Sequence, residues 1–342
     1  MRGRIIVAGS CILAVLCGPA VGAQRPTITV QLEEDWFAGL DQYYTTGERI
    51  LATWNAKGAP SLIRSTGRIL NWLWPLPEDT GGADAISAGL ATQYYTPDSP
   101  SSSGLGPTDR PYAGWLFVDT RLTDQRVDSD RKILGEDRVE LQIGIVGPHA
   151  FSGDIQTWFH KRILNVPAFV GWPNQLRDEP GLMLWGERSW RFPRADIARG
   201  LGFDVWPRLG GAIGNVRTQL HAGFDARLGF NLPEHMALGA LPATVTANAA
   251  MGEPLSNEDR WSVYVSAGME VRAIAHNIFL DGNSFVASHH VDKRIVVRDT
   301  YIGVAVQRGR FALSYQMIER GKEFFGQKAP QRYGVVTLSF GI

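Results

Sequence analysis

Five short polar clusters are spaced along this chain so that a fold could bring them together. They are Glu33-Glu34-Asp35, Tyr43-Tyr44-Thr45-Thr46-Gly47, Gln93-Tyr94-Tyr95-Thr96-Pro97, Asp109-Arg110-Pro111-Tyr112, and the pair Gln156 and His160. Carboxylates are oxygen donors that suit hard cations such as calcium. A neutral imidazole can take a proton from water near neutral pH. Hydroxyls and side-chain amides orient a polar substrate. Gln156 and His160 are four residues apart, so a helix puts them on one face, one turn from each other.

Each of these residues also has a plainer reading. Carboxylates at strand ends are commonly solvated. Tyrosines at strand ends commonly form an aromatic girdle at a membrane interface. The dipeptide Asp109-Arg110 is most simply a salt bridge. His289-His290 is a weak metal pair, because adjacent residues do not share a face in regular structure. His221 falls on the polar face of a strand, with no evident partner. No Gly-x-Ser-x-Gly elbow is present, which argues against a serine esterase.

The elements that must position these residues start with export. Arg2 and Arg4 precede an apolar run from Ile5 to Val21, and Val21-Gly22-Ala23 ends it. That is the grammar of a secretory signal peptide over residues 1–23, with cleavage after Ala23. The run is short of a bilayer span and Pro19 interrupts it, so a membrane anchor is the weaker reading. Cys11 and Cys17 both fall inside the signal, so residues 24–342 carry no thiol. Disulfides, cysteine-held metals and cysteine nucleophiles are therefore excluded from the mature chain. Charge is balanced at 34 basic and 34 acidic residues, which gives no footprint for nucleic acid.

Residues 24–342 read as one β-barrel domain. No stretch of them is apolar enough for a transmembrane helix, and a closed barrel is the other way to satisfy backbone groups in lipid. Period-two alternation is the strand signal. Leu220, Ala222, Phe224, Ala226, Leu228 and Phe230 share one face, with His221, Asp225 and Arg227 on the other. Trp261, Val263, Val265, Ala267, Met269 and Val271 repeat the pattern, and Phe311, Leu313, Tyr315 and Met317 form a further face. The chain ends on Val336, Leu338, Phe340 and Ile342, close to the final strand of many outer-membrane barrels. Gly 38 and Trp 11 suit the same class.

The predicted architecture is all-β: an antiparallel transmembrane β-barrel of about twelve strands, with a short helix in an extracellular loop. The strands fall near 27–36, 43–54, 84–96, 111–122, 137–147, 181–192, 202–213, 216–230, 260–274, 296–307, 310–319 and 332–342. Residues 61–74 and the segment after Ser152 read as helices, the second capped by Ser152 or Asp154. The first carries an apolar stripe of Leu62, Ile63, Ile69, Leu70 and Leu73, which suits an interfacial helix. An even strand count leaves both termini in the periplasm. All five polar clusters then fall at the outer rim. A soluble periplasmic sandwich would show similar local alternation.

At these residues the chain resembles the outer-membrane lipid A 3'-O-deacylases. The resemblance rests on Glu33-Glu34-Asp35-Trp36-Phe37 followed by Asp41-Gln42-Tyr43-Tyr44-Thr45-Thr46-Gly47, and on Gln93 to Pro97. It continues through Asp109 to Trp115, Gly147-Pro148, Gln156 with His160, Gly171 to Leu176, and Glu323-Phe324 with Gln327. It implies a twelve-stranded barrel and a calcium-dependent esterase that acts on lipid A, or lipopolysaccharide, among the lipids of the bacterial outer membrane. It implies His160 as general base, Thr45 and Gln156 as active-site polar residues, and Asp35 with Glu34 at a calcium (Ca2+) site. A single chain, a monomer, is the expected form. The family has Asn where this chain has Glu34. One member of that family also has a carboxylate soon after the histidine, whereas here the next acids are Asp178 and Glu179. A non-enzymatic barrel, either a pore or an inactive family member, stays open beside the enzyme, as does a soluble periplasmic binding protein.

Overall fold

A computed structural model describes residues 26–40, 42–73, 84–98, 106–130, 132–235 and 260–342. The predicted signal peptide lies outside the described residues, as do Asp41 and Trp74 of the segments discussed above. Thirteen antiparallel strands form one sheet: β1 (Thr27–Glu34), β2 (Tyr43–Asn55), β3 (Ala85–Thr96), β4 (Ala113–Val127), β5 (Ile133–Val146), β6 (Glu179–Trp190), β7 (Ala195–Ala198), β8 (Leu201–Gly214), β9 (Arg217–Phe230), β10 (Ser262–Asn277), β11 (Val296–Arg308), β12 (Phe311–Arg320) and β13 (Gln331–Gly341). Chain neighbours pair in order except β6 and β7, β1 pairs with β13, and β6 pairs with β8 from Met183↔Gly214 to Ser189↔Arg208. That closes a twelve-stranded barrel. β7 is a four-residue spur on β8 that the sequence pattern does not predict. It is too short to show a period.

The alternation predicted for β9 and β10 is observed. Leu220 and Phe230 are exposed while His221, Asp225 and Arg227 are buried. Val263, Val265 and Val271 are exposed between buried Tyr264, Ser266 and Glu270. The apolar face therefore points outward, where a lipid bilayer satisfies it, and the polar face fills the lumen.

The lumen is filled by paired charges. Arg49 meets Asp119 at 2.7 Å and Glu140 at 3.0 Å, and Arg121 meets Glu140 at 2.6 Å. Arg208 joins Asp225 at 2.9 Å, Glu187 at 3.2 Å and Glu270. Arg272 and Arg320 share Asp299 at 2.7 and 3.1 Å. Charges out of water are stable only when paired in this way. His221 has a partner after all: its Nε2 lies 3.2 Å from Glu187 and its ring stacks on Trp185. A parity pattern locates a lumenal histidine but cannot show which distant strand brings its partner.

Two helices flank the wall. α1 (Ser61–Leu73) packs against the outside of β3 and β4 at the end of the barrel where the termini pair. α2 (Ser152–Phe159) runs into a π-helical turn, His160–Leu164, at the opposite rim. The predicted cap is not formed. Phe151 occupies the cap position at φ 59° with no side-chain hydrogen bond, because the turn Pro148–Ala150 delivers the chain there in left-handed conformation.

Candidate active site

β1 and β2 build the floor of a pocket on the outer face of the barrel. Arg49 points into the lumen, so Glu48 and Thr46 on the same strand point out. Cross-strand register sets Glu34 opposite Thr46, and Thr46 opposite Tyr94. Thr46 Oγ1 donates to Glu34 Oε2 at 3.1 Å, and the Tyr94 hydroxyl donates to Glu48 Oε2 at 3.3 Å. Between Tyr44 and Thr46 the β2–β3 pairing slips by one residue, so Thr45 is a bulged residue. Bulges re-aim a side chain. Thr45 Oγ1 lies 2.8 Å from Thr96 Oγ1.

Asp35 opens the helical turn Asp35–Ala38 that follows β1 and is buried. Its Oδ2 accepts the backbone N–H of Gln42 at 2.6 Å, which ties the turn to the start of β2.

The roof is α2. Ile155 packs on the cluster of Tyr94, Tyr112 and Trp172. Gly114 on β4 makes the close approach possible, since a Cβ there would collide with Ser152 at the start of the helix. Gln156 and His160 are both buried and face the floor. Trp172 Nε1 donates to Gln156 Oε1 at 2.8 Å. His160 Nδ1 lies 3.2 Å from the Pro167 carbonyl, and Phe169 meets the imidazole edge-on at 4.8 Å. That carbonyl can only accept, so Nδ1 carries the proton and Nε2 is the basic nitrogen of the neutral ring.

Floor and roof enclose about 400 Å3 of open space, mouth included. Glu34, Asp35, Thr45, Gln156 and His160 all line it. Trp36, Thr46, Glu48, Tyr94 and Phe159 also line it; Thr46 and Tyr94 belong to the polar clusters expected at the rim, whereas the sequence pattern assigns Glu48 no role. Glu48 carries a signal that parity could have shown: an acid on the lipid-facing side of a strand is costly and needs a reason.

Other rim residues stand differently from their plainer readings. Tyr43, Tyr44, Tyr94 and Tyr95 are buried and form no exposed girdle, because they pack inward or under α2. Asp109 does not bridge to Arg110 through its side chain. It accepts backbone N–H groups of Asp98 and Arg110 at 2.8 Å each, and Arg110 instead meets Glu323 at 3.0 Å. Burial pushes the Asp109 carboxyl up. At Glu323 burial acts upward too, but Arg110 and Arg320, with Arg272 and Arg217, outweigh it and hold the carboxyl down to about 2. Neither acid after the histidine reaches the pocket: Asp178 binds His149, and Glu179 accepts from Asn215, Asn283 and Ser284. Among the described residues, Glu187, His221 and Glu270 bring ligand atoms within 4.8 Å of one another. Arg208 already neutralises that lumenal group.

A model of the family described as outer membrane protein LpxR matches residues 6–342. The chain belongs to the LpxR family. LpxR from Salmonella typhimurium has the same fold, with a TM-score of 0.73 at 17% identity over 92% of this chain and 100% of that one. The β-domain of the Bordetella autotransporter BrkA aligns over 93% of this chain and 100% of that one, at 7% identity and a TM-score of 0.43. No curated protein matches the chain. Membership of this LpxR family, together with the barrel, places the chain in an outer membrane and among the lipid A deacylase proteins.

Proposed function

We propose that the rim pocket hydrolyses an ester-linked 3'-acyloxyacyl group of lipid A. The observation that carries this is the meeting of His160, Gln156, Thr45, Glu34 and Asp35 in one pocket on the outside of the wall. An outward site suits a substrate that lies in the bilayer. Exposed Trp36, Trp158 and Ile163 surround it, an apolar fringe beside which acyl chains are at home.

His160 acts on water. The Pro167 carbonyl holds Nδ1–H, and Nε2 takes a proton as the water oxygen bonds to the ester carbon. The C–O bond to the sugar then breaks, and Nε2–H returns the proton to the leaving alkoxide. The products are the free acyloxyacyl acid and the 3'-hydroxyl. Gln156, held through Trp172, and the bulged Thr45 supply polar contacts around the reacting ester. Glu34 and Asp35 would hold a calcium ion, whose chemistry here is stabilisation of negative charge on the ester oxygen. Their fit is chemical: both offer hard carboxylate oxygens, and Thr45 and Thr46 add hydroxyl oxygens in the same pocket.

The purified barrel incubated with lipid A and calcium should release the 3'-acyloxyacyl group, seen as the corresponding mass loss. His160→Ala should lower the rate about 10²- to 10⁴-fold, and chelation should abolish it. Absence of any mass loss would overturn the activity, and an undiminished His160→Ala variant would remove His160 from it. A second reading, a family member with a lapsed site, is favoured by Glu34 standing where the family has Asn. If Glu34 is a working ligand, Glu34→Asn lowers activity at limiting calcium and added calcium restores it. A rise in activity would favour the lapsed site.

A further inference from the structure

At the end of the barrel opposite the pocket, α1 has three separate flanks. Ile63, Gly67 and Leu70 press on the outer wall at Trp54, Ile86, Leu122 and Val139. Gly67 allows this contact, since a Cβ there would lie 2.5 Å from Ile86 and 3.2 Å from Leu122. A second flank presents Leu62, Ile69, Trp72 and Leu73 outward, with Trp72 79% exposed. The third carries Arg64, Arg68 and Asn71, at positions that share one helix face. No acidic residue occurs in the helix.

Between the third flank and the wall runs a crevice of about 950 Å3, mouth included. Arg64, Arg68 and Asn71 line one side, and Ile86 and Leu122 the other. Arg64 Nη1 donates to the Ala59 carbonyl at 2.7 Å, and Arg68 Nη2 to Ser65 Oγ at 3.0 Å. Each bond steadies a guanidinium and uses one of its five donors.

We propose that this crevice binds an anionic glycerophospholipid of the periplasmic leaflet, its phosphate on Arg64 and Arg68 and its acyl chains against the exposed outer wall beyond Ile86 and Leu122, which are themselves buried. Two features select that occupant. The apolar side of the crevice is continuous with the lipid-facing wall of β3 and β4. Among the described residues, the polar lining is Arg64, Arg68 and Asn71, two cations and a neutral amide, which complements a phosphodiester. The exposed flank with Trp72 then lies in the same leaflet, as an interfacial amphipathic helix does. α1 thereby moors one side of the barrel wall to the leaflet opposite its substrate.

The test is native mass spectrometry of the mature chain released from nanodiscs that contain phosphatidylglycerol and phosphatidylcholine. The wild-type chain should retain phosphatidylglycerol in preference. The Arg64→Ala/Arg68→Ala variant should lose that preference by roughly thirtyfold, about fivefold for each basic group at a lipid surface. Lys57→Ala should leave it unchanged. Heat-modifiable migration would show that each barrel is folded, and deacylase rate at the far rim should not move. Equal retention of both lipids by the wild-type chain would overturn the proposal, as would an unaltered preference in the double variant. Displacement of the lipid by inorganic phosphate would mark a free-phosphate site and overturn it too.

Discussion

Gln156 shows how a single contact sets up the site. Its amide oxygen is held by the Trp172 indole N–H at 2.8 Å, and Trp172 is itself buried against Tyr112. Trp172→Phe keeps the ring packing and removes the donor. The expected result is a fall in kcat of about ten- to hundredfold with KM little changed, because orientation rather than binding is lost. An unchanged kcat in steady-state assays would show that Gln156 needs no such tether. The five residues that meet in the pocket are legible through the family resemblance and, for Gln156 and His160, through a spacing that puts them on one helix face. Glu48 is not, although it lines the pocket. Position along the chain sorts the clusters by rim and not by face, and only the face separates Glu48, outside, from Arg49, inside.

Strands are the most legible elements. β9 alternates throughout and β10 does so up to Ile274, so residue order alone assigns their faces there. A lipid-facing side chain has one acceptable chemistry and a lumenal one another, and period two follows directly. The bulge at Thr45 is not legible, since it depends on how β2 meets β3 and not on β2 itself. Nor is the seat of α2, which is set by Gly114 on a strand some forty residues earlier. That seat gives a prediction. Gly114→Val should push Ser152 and the helix away from β4, and so lift His160 from the floor. Activity should fall by about a hundredfold, the order expected for a displacement near 1 Å. The barrel should still fold and migrate as a heat-modifiable band, because α2 lies outside the wall. A variant of full activity would mean that the helix is held by Ile155 and Trp172 alone.

For the whole molecule, the filled lumen separates the two faces of function. Its described residues form charge networks where a pore would need water, and the candidate pocket lies on the outer surface. Glu323 ties that interior to the rim loops, through Arg110 at 3.0 Å and backbone N–H donation to Gln327 at 2.6 Å. Burial would raise its carboxyl, yet the surrounding arginines hold it down to about 2, against an ordinary 4.5. A folded-state pKa below the unfolded one stabilises the fold wherever the unfolded carboxyl is also ionised. The contribution is therefore fully present above the ordinary value and disappears as pH falls through about 2. Its size is roughly 3 kcal/mol. Thermal melting in detergent should accordingly fall between pH 4.5 and pH 2. Glu323→Gln should melt lower than the wild type at neutral pH, since Arg110 loses its counter-charge. It should also lose most of the acid dependence in that window. Parallel acid curves for the two chains would assign the sensitivity to other carboxylates.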